Sequence, residues 1–77
     1  MKNFISIYHT TNWLDEAIKN LENGKTIYIA PNNLTEIFSS NWIEEVKQTL
    51  IKKYSEKLIA TKFIDIVRYY YHYSLKN

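Results

Sequence analysis

Two strand-like segments flank one amphipathic helix in the first part of the chain, and this arrangement constrains the fold more than any other feature. Residues 4–8 and 26–30 are rich in β-branched and aromatic side chains, as strands usually are. Between them, apolar residues recur at helical spacing, namely Leu14, Ala17, Ile18 and Leu21. Asn23 and Gly24 then supply the left-handed stop that helices favour. The pattern predicts a helix over about residues 12–23.

The joints between these elements are short, so the segment predicts a right-handed βαβ unit. In such a unit we expect Ile5 and Ile7 to lie beside Ile27 and Ile29, on the face that the helix covers. Two strands alone are marginal in water and leave unpaired backbone groups at their edges. A strand from the last segment, the same strands of a second copy, or a partner protein is therefore expected to complete the sheet.

The middle of the chain predicts two further helical segments. Asn33 followed by Glu36 resembles a capping box that opens a short helical turn through Phe38. A longer amphipathic helix over about residues 41–57 is indicated by an apolar stripe at helical spacing. The stripe consists of Ile43, Val46, Leu50 and Tyr54.

The last segment, residues 62–76, is ambiguous because strand-favouring side chains dominate its composition. Its polar residues nevertheless fall at i, i+3, i+7 and i+11, the spacing of one helical face. They are Asp65, Arg68, His72 and Lys76. We therefore predict a helix. The predicted fold class is α/β (α+β), a small βαβ unit followed by two or three helices, in a single domain spanning residues 1–77.

Composition excludes several kinds of chemistry. With 77 residues and no cysteine, the chain has no disulfides and no thiolate zinc site, and its aromatic fraction of 16% must help to stabilise a small core. One glycine rules out a glycine-rich phosphate loop. The two histidines lie far apart and no nucleophile has a base at a defined spacing. We predict no enzyme, no cofactor and no metal site, and, without a signal peptide or an apolar span, a cytoplasmic location.

The carboxyl-terminal aromatic and basic residues are the best candidates for a partner-binding surface. On a helix they would lie next to one another through i, i+4 pairs. They are Arg68, Tyr69, His72, Tyr73 and Lys76. Tyr and Arg are enriched at binding hot spots, which favours a protein partner. The alternative is that Tyr69 and Tyr73 pack on a neighbouring helix.

The carboxyl half is mildly basic and carries candidate nucleic-acid contacts. Residues 39–77 hold six Lys and one Arg against four acidic residues. The candidate contacts are Lys52, Lys53, Lys57 and Lys62. A nucleic-acid-binding regulator would use the helices at 41–57 and 62–76 as a helix-turn-helix-like pair. The interleaved glutamates are typical of a solvated helix face, so this is the less favoured alternative.

A remote alternative comes from the segments Tyr8-His9-Thr10-Thr11 and Gly24-Lys25-Thr26-Ile27-Tyr28-Ile29-Ala30. They resemble the His and Tyr segments of poly-ADP-ribose-polymerase-type ADP-ribosyltransferases. The resemblance covers residues 8–30 and implies that His9 and Tyr28 would hold NAD.

The favoured function is a non-enzymatic protein-interaction module, an inhibitor or adaptor that occludes a partner's surface. A composition rich in Asn, Lys, Ile and Tyr is typical of AT-rich genomes, and very short single domains are common in phages and plasmids. By analogy, we expect an inhibitor of a host or defence protein, such as an anti-CRISPR. A homodimer through an open sheet edge is a further expectation.

Overall fold

The chain begins with a strand, a helix and a second strand, continues with two helices and a 3-10 turn, and ends with two strands. The computed structural model describes residues 4–65 and 68–77. In chain order the elements are β1 (Phe4–Tyr8), α1 (Trp13–Glu22), β2 (Thr26–Ala30), α2 (Leu34–Ile37), α3 (Asn41–Tyr54), a 3-10 turn (Ser55–Lys57), β3 (Leu58–Asp65) and β4 (Arg68–Leu75). The strands form one mixed sheet in the order β1-β2-β4-β3.

The βαβ unit confirms the sequence prediction. β1 and β2 are parallel, with Ile5 opposite Ile27 and Ile7 opposite Ile29. The helix between them buries Ala17 and Leu21. Gly24, just after this helix, has a φ of 77°, a backbone conformation that residues with a Cβ rarely adopt.

The two middle helices, α2 and α3, are also confirmed, but α3 is shorter than expected. Asn33 caps α2, since its side-chain oxygen accepts a hydrogen bond from the Glu36 N–H at 2.9 Å. In α3 the predicted stripe is buried through Leu50, and Tyr54 packs against the core. α3 ends at Tyr54 instead of residue 57, because Ser55 has a φ of 52° and the chain tightens into the 3-10 turn.

The predicted helix over residues 62–76 is wrong. This part of the chain belongs to β3 and β4, an antiparallel pair that runs from Leu58 opposite Leu75 to Asp65 opposite Arg68. The helical spacing of the polar residues arose because two elements were treated as one. In the antiparallel register of β3 and β4, odd-numbered residues of β3 lie opposite even-numbered residues of β4 and share a face with them. Residues 66 and 67, assigned to the same helix, lie outside the described residues.

β4 completes the sheet that β1 and β2 begin. It pairs antiparallel with β2, with Ile27 opposite Tyr73. Of the three expected ways to complete the sheet, a strand from the last segment is therefore the one observed. The mixed α/β fold class is confirmed, with the final helix replaced by a hairpin.

α1 and α3 pack on the same side of the sheet. The buried core cluster is formed by Ile7, Ala17, Leu21, Ile27, Ile29, Trp42, Ile43, Val46, Leu50, Tyr70 and Tyr73. The opposite side, called here the outer face, carries a cluster of rings that includes Phe4, Tyr28, Phe63 and His72. Within the described part of the chain, no helix is long and apolar enough to cross a membrane.

Candidate functional site

A polar network fixes the single turn of α2 to the rest of the molecule. One carboxylate oxygen of Glu36 accepts a hydrogen bond from the Asn32 N–H at 2.9 Å. The other lies 2.6 Å from Nδ1 of His9, at the end of β1. The indole N–H of Trp42 donates to the backbone oxygens of Glu36 and Ser39, at 2.9 and 3.1 Å. With the Asn33 cap, these bonds hold both ends of α2.

Aromatic packing supports the same network. The His9 ring stacks on Trp42, with ring centroids 4.8 Å apart and planes 24° from parallel. The ring centroid of Trp13, at the start of α1, lies 5.8 Å from that of His9. Trp42 itself is buried in the core. α2 is thereby tied to β1, α1 and α3 at once.

The apolar side chains of this firmly held turn face solvent. Leu34 is 70% exposed, Ile37 40% and Phe38 80%, and no residue of α2 is buried. The three occupy positions i, i+3 and i+4, so they lie on one side of the turn. We call them the α2 knob. Contiguous exposed apolar residues with a polar rim are candidates for a recognition surface.

The predicted partner-binding residues do not form one surface. Tyr73 is only 2% exposed and belongs to the core, whereas Tyr69 is 54% exposed. His72 lies on the outer face, where its ring stacks on Phe63 at 4.1 Å. Lys76 is exposed, and the side chain of Arg68 lies outside the described part. The contiguous surface was wrong because successive strand residues point to opposite faces. A binding role for the exposed members stays a prediction.

The lysines predicted to contact nucleic acid are spread over three elements. Lys52 and Lys53 are exposed near the end of α3, and Lys57 lies in the 3-10 turn. Lys62 lies on β3, with its ammonium 4.7 Å from the Tyr69 ring centre. The helix-turn-helix-like pair was wrong, since its second helix is replaced by strands. Nucleic-acid contact by these lysines stays a prediction.

An open cleft of about 410 Å³ brings together two residues from the separate predictions, Lys62 and Tyr69. It lies between the first turn of α3 and the β3–β4 hairpin. Its other lining residues are Ser40, Asn41, Ile43, Glu44 and Tyr71. Next to the cleft, Lys47 donates a hydrogen bond to the hydroxyl of the lining residue Tyr71 at 3.3 Å. The cleft carries both a carboxylate and an ammonium group, so it does not favour ligands of one charge.

The two residues implied to hold NAD lie in different surroundings. His9 is bonded to Glu36 and stacked on Trp42, whereas Tyr28 lies in the ring cluster of the outer face, 5.8 Å from Phe63. NAD binding stays a prediction. Among residues 4–65 and 68–77, no three side chains of the metal-binding types are grouped so that they could hold an ion.

The fold and the site together define a small two-layer α/β domain with a rigid, exposed apolar turn. No family model matches the chain, and neither the curated proteins nor the solved structures include a significant match. Sequence reasoning missed the α2 knob, although Leu34, Ile37 and Phe38 follow the capping box at helical spacing. That spacing predicts an apolar face, but only the tertiary structure shows that nothing in the described chain covers it.

Proposed function

We propose that this protein is a non-enzymatic interaction module that inserts the α2 knob into an apolar pocket of another protein, as an inhibitor or adaptor. The observation that carries the proposal is the contrast within α2. Its charged side chain, Glu36, is fixed by His9 and Asn32, while Leu34 and Phe38 are among the most exposed apolar residues described.

Burial of the knob supplies the free energy of binding. Full burial of a Leu or Phe side chain contributes about 1.5–3 kcal/mol. The turn is already held by its network, so little conformational freedom is lost on association. Short helices that present apolar residues at i, i+3 and i+4 commonly bind in grooves of a partner. Occupying such a groove would block whatever else binds there.

The surroundings of the knob favour a protein partner over nucleic acid. Asn32, Asn33, Thr35 and Ser39 are uncharged, and the carboxylate of Glu36 is bonded to His9. Binding to phosphates requires clustered lysine or arginine. An uncharged apolar surface with a polar rim is better matched to the core of a protein interface.

The first experiment compares partner capture by single variants. Wild-type protein, Phe38→Ala and Leu34→Ala are immobilised in equal amounts and exposed to the proteins of the native host. We expect affinity for the captured partner to fall at least about tenfold in each knob variant. Ile51→Ala is the matched control, because Ile51 is an exposed apolar residue of α3 outside the knob.

Photo-crosslinking then tests contact directly. Benzoylphenylalanine at position 38 should crosslink to the captured partner, whereas the same group at position 51 should not. Equal capture by wild type and Phe38→Ala, together with no crosslink from position 38, would refute the knob as the binding surface. Tyr69→Ala, tested in parallel, examines the predicted carboxyl-terminal surface.

A further inference from the structure

The outer edge of the sheet at β3 has no partner among the described residues. β3 is the last strand in the order and pairs only with β4. It spans eight residues and contains neither Pro nor Gly. Ile59 and Ile64 are 39% and 68% exposed along it. A long edge strand with exposed apolar side chains is a template for pairing with another strand.

The hydrogen-bond pattern shows which backbone groups face outward. The Lys76 N–H donates to the Lys57 oxygen at 2.8 Å, so this pair continues the β3–β4 ladder. Antiparallel pairs alternate between those that exchange hydrogen bonds and those that do not. Odd-numbered residues of β3 therefore direct their backbone groups to β4. The outward N–H and C=O groups belong to Leu58, Ala60, Lys62 and Ile64.

We propose that a second copy of this chain pairs with this edge, β3 against β3 and antiparallel, around a twofold axis at Thr61. Ala60 then exchanges hydrogen bonds with Lys62 of the second copy, and Leu58 does so with Ile64. With both halves counted, about eight backbone hydrogen bonds form. At the centre, Thr61 lies opposite Thr61 of the second copy, and this pair exchanges no hydrogen bonds.

The side chains select this register. On the outer face it places Ile59 beside Phe63 of the second copy, and on the helix-covered side Leu58 beside Ile64. Because side chains alternate, the register can shift only in steps that move the axis by one residue. An axis at Lys62 would place two like charges opposite each other, which is destabilising. An axis at Ala60 would place Leu58 against Lys62.

The pairing is expected to be weak and concentration dependent. A single strand edge covers less area than the roughly 800 Å² per partner of a standard interface. β1 offers the competing edge, but it spans only five residues. Since the ladder at β3 is longer, a second copy gains more backbone hydrogen bonds there.

Charge variants at position 60 test the register. Ala60 is exposed, so its replacement should leave the fold intact, as a thermal melt will verify. Ala60→Glu places a carboxylate opposite Lys62 of the second copy and should tighten dimerisation about tenfold. Ala60→Lys should weaken it by a similar factor. Adding Lys62→Glu to Ala60→Lys should restore it. Sedimentation equilibrium over a wide concentration range measures each dissociation constant.

Single cysteines test the position of the axis, because the chain has none of its own. Facing residues in a central pair without hydrogen bonds have Cα atoms about 4.5 Å apart, which suits a disulfide. Thr61→Cys should therefore oxidise to a covalent dimer faster than Thr11→Cys, a variant away from the sheet edge. Ser6→Cys reports on the β1 edge.

The proposal is overturned by any of three results. They are a wild-type chain that stays monomeric at every concentration, identical dissociation constants for the three charge variants, or faster crosslinking through Ser6→Cys than through Thr61→Cys. None of these results bears on the α2 knob, which lies outside β3.

Discussion

At the scale of single residues, Tyr73 shows how far a side chain's role depends on its element. The sequence suggested an exposed binding residue, yet Tyr73 lies opposite Ile27 in the sheet and is 2% exposed. Burial raises the pKa of its hydroxyl well above the ordinary value, with smaller contributions from Tyr71 and Glu44. Burial also raises the pKa of Tyr54 to about 12, helped by its hydrogen bond to Glu22.

These tyrosines predict a loss of stability at high pH. Their pKa values are higher in the folded chain than the value of 10.0 for an unperturbed tyrosine, so the folded state holds its protons more tightly. The stabilisation is complete below pH 10 and falls as the pH rises towards 12. Urea unfolding at several alkaline pH values should therefore show a falling free energy of unfolding.

The Tyr54→Phe variant isolates the contribution of Tyr54 to the loss of stability at high pH. It should flatten the alkaline decline while costing about 0.5–1 kcal/mol at neutral pH, because the 3.0 Å hydrogen bond to Glu22 is lost at a partly exposed site. A decline of unchanged steepness in Tyr54→Phe would show that this residue does not contribute to it.

At the scale of elements, α2 depends on its neighbours. A helix of four residues is far too short to be stable by itself. Its order comes from the Asn33 cap, the Glu36 carboxylate and the indole of Trp42. The knob is therefore only as rigid as this network.

Glu36→Ala tests the network, because it removes the bonds to His9 and to the Asn32 N–H. We expect the free energy of unfolding to fall by about 1–2 kcal/mol. The amides of Ile37 and Phe38, which donate to Asn33 and Leu34, should exchange with solvent at least about tenfold faster.

Thr35→Ala is the control on the exposed side of the same turn, and it should leave exchange unchanged. If Glu36→Ala and Thr35→Ala exchange at the same rate, the carboxylate does not hold α2. Loss of order in Glu36→Ala should also weaken capture of the partner.

At the scale of the whole molecule, stability depends on a small core without disulfides. A chain of 77 residues buries a limited apolar area, so one core position is a large share of the total. Leu50 and Ile51 are neighbours on α3 with opposite surroundings. Leu50 is fully buried, whereas Ile51 is 36% exposed.

We therefore expect substitutions of Leu50 and Ile51 to differ sharply in their effect on the free energy of unfolding. Leu50→Ala leaves a cavity between α3 and the sheet and should cost about 2–5 kcal/mol, enough to unfold much of the population. Ile51→Ala should change the free energy of unfolding by less than about 0.5 kcal/mol. Urea titrations followed by circular dichroism measure both. Similar losses for the two variants would contradict the burial of Leu50 and the exposure of Ile51.

The βαβ unit was predictable because its signals are local. The bounds of β1 and β2 match the predicted segments, and Asn33 caps α2 as its spacing with Glu36 indicated. The candidate site was less predictable. Leu34 and Phe38 looked like ordinary apolar helix residues, since exposure depends on what the rest of the chain covers.

The sequence by itself determined which segments are apolar on one side, where β1, α1 and β2 begin and end, and that disulfides take no part. The tertiary structure alone decided that residues 58–65 and 68–75 form two paired strands and not a helix. These residues suit either state locally, and the choice falls to strand because β4 pairs with β2 and removes an open edge. That pairing joins Ile27 to Tyr73, residues distant in sequence, and it also decides which tyrosines remain at the surface.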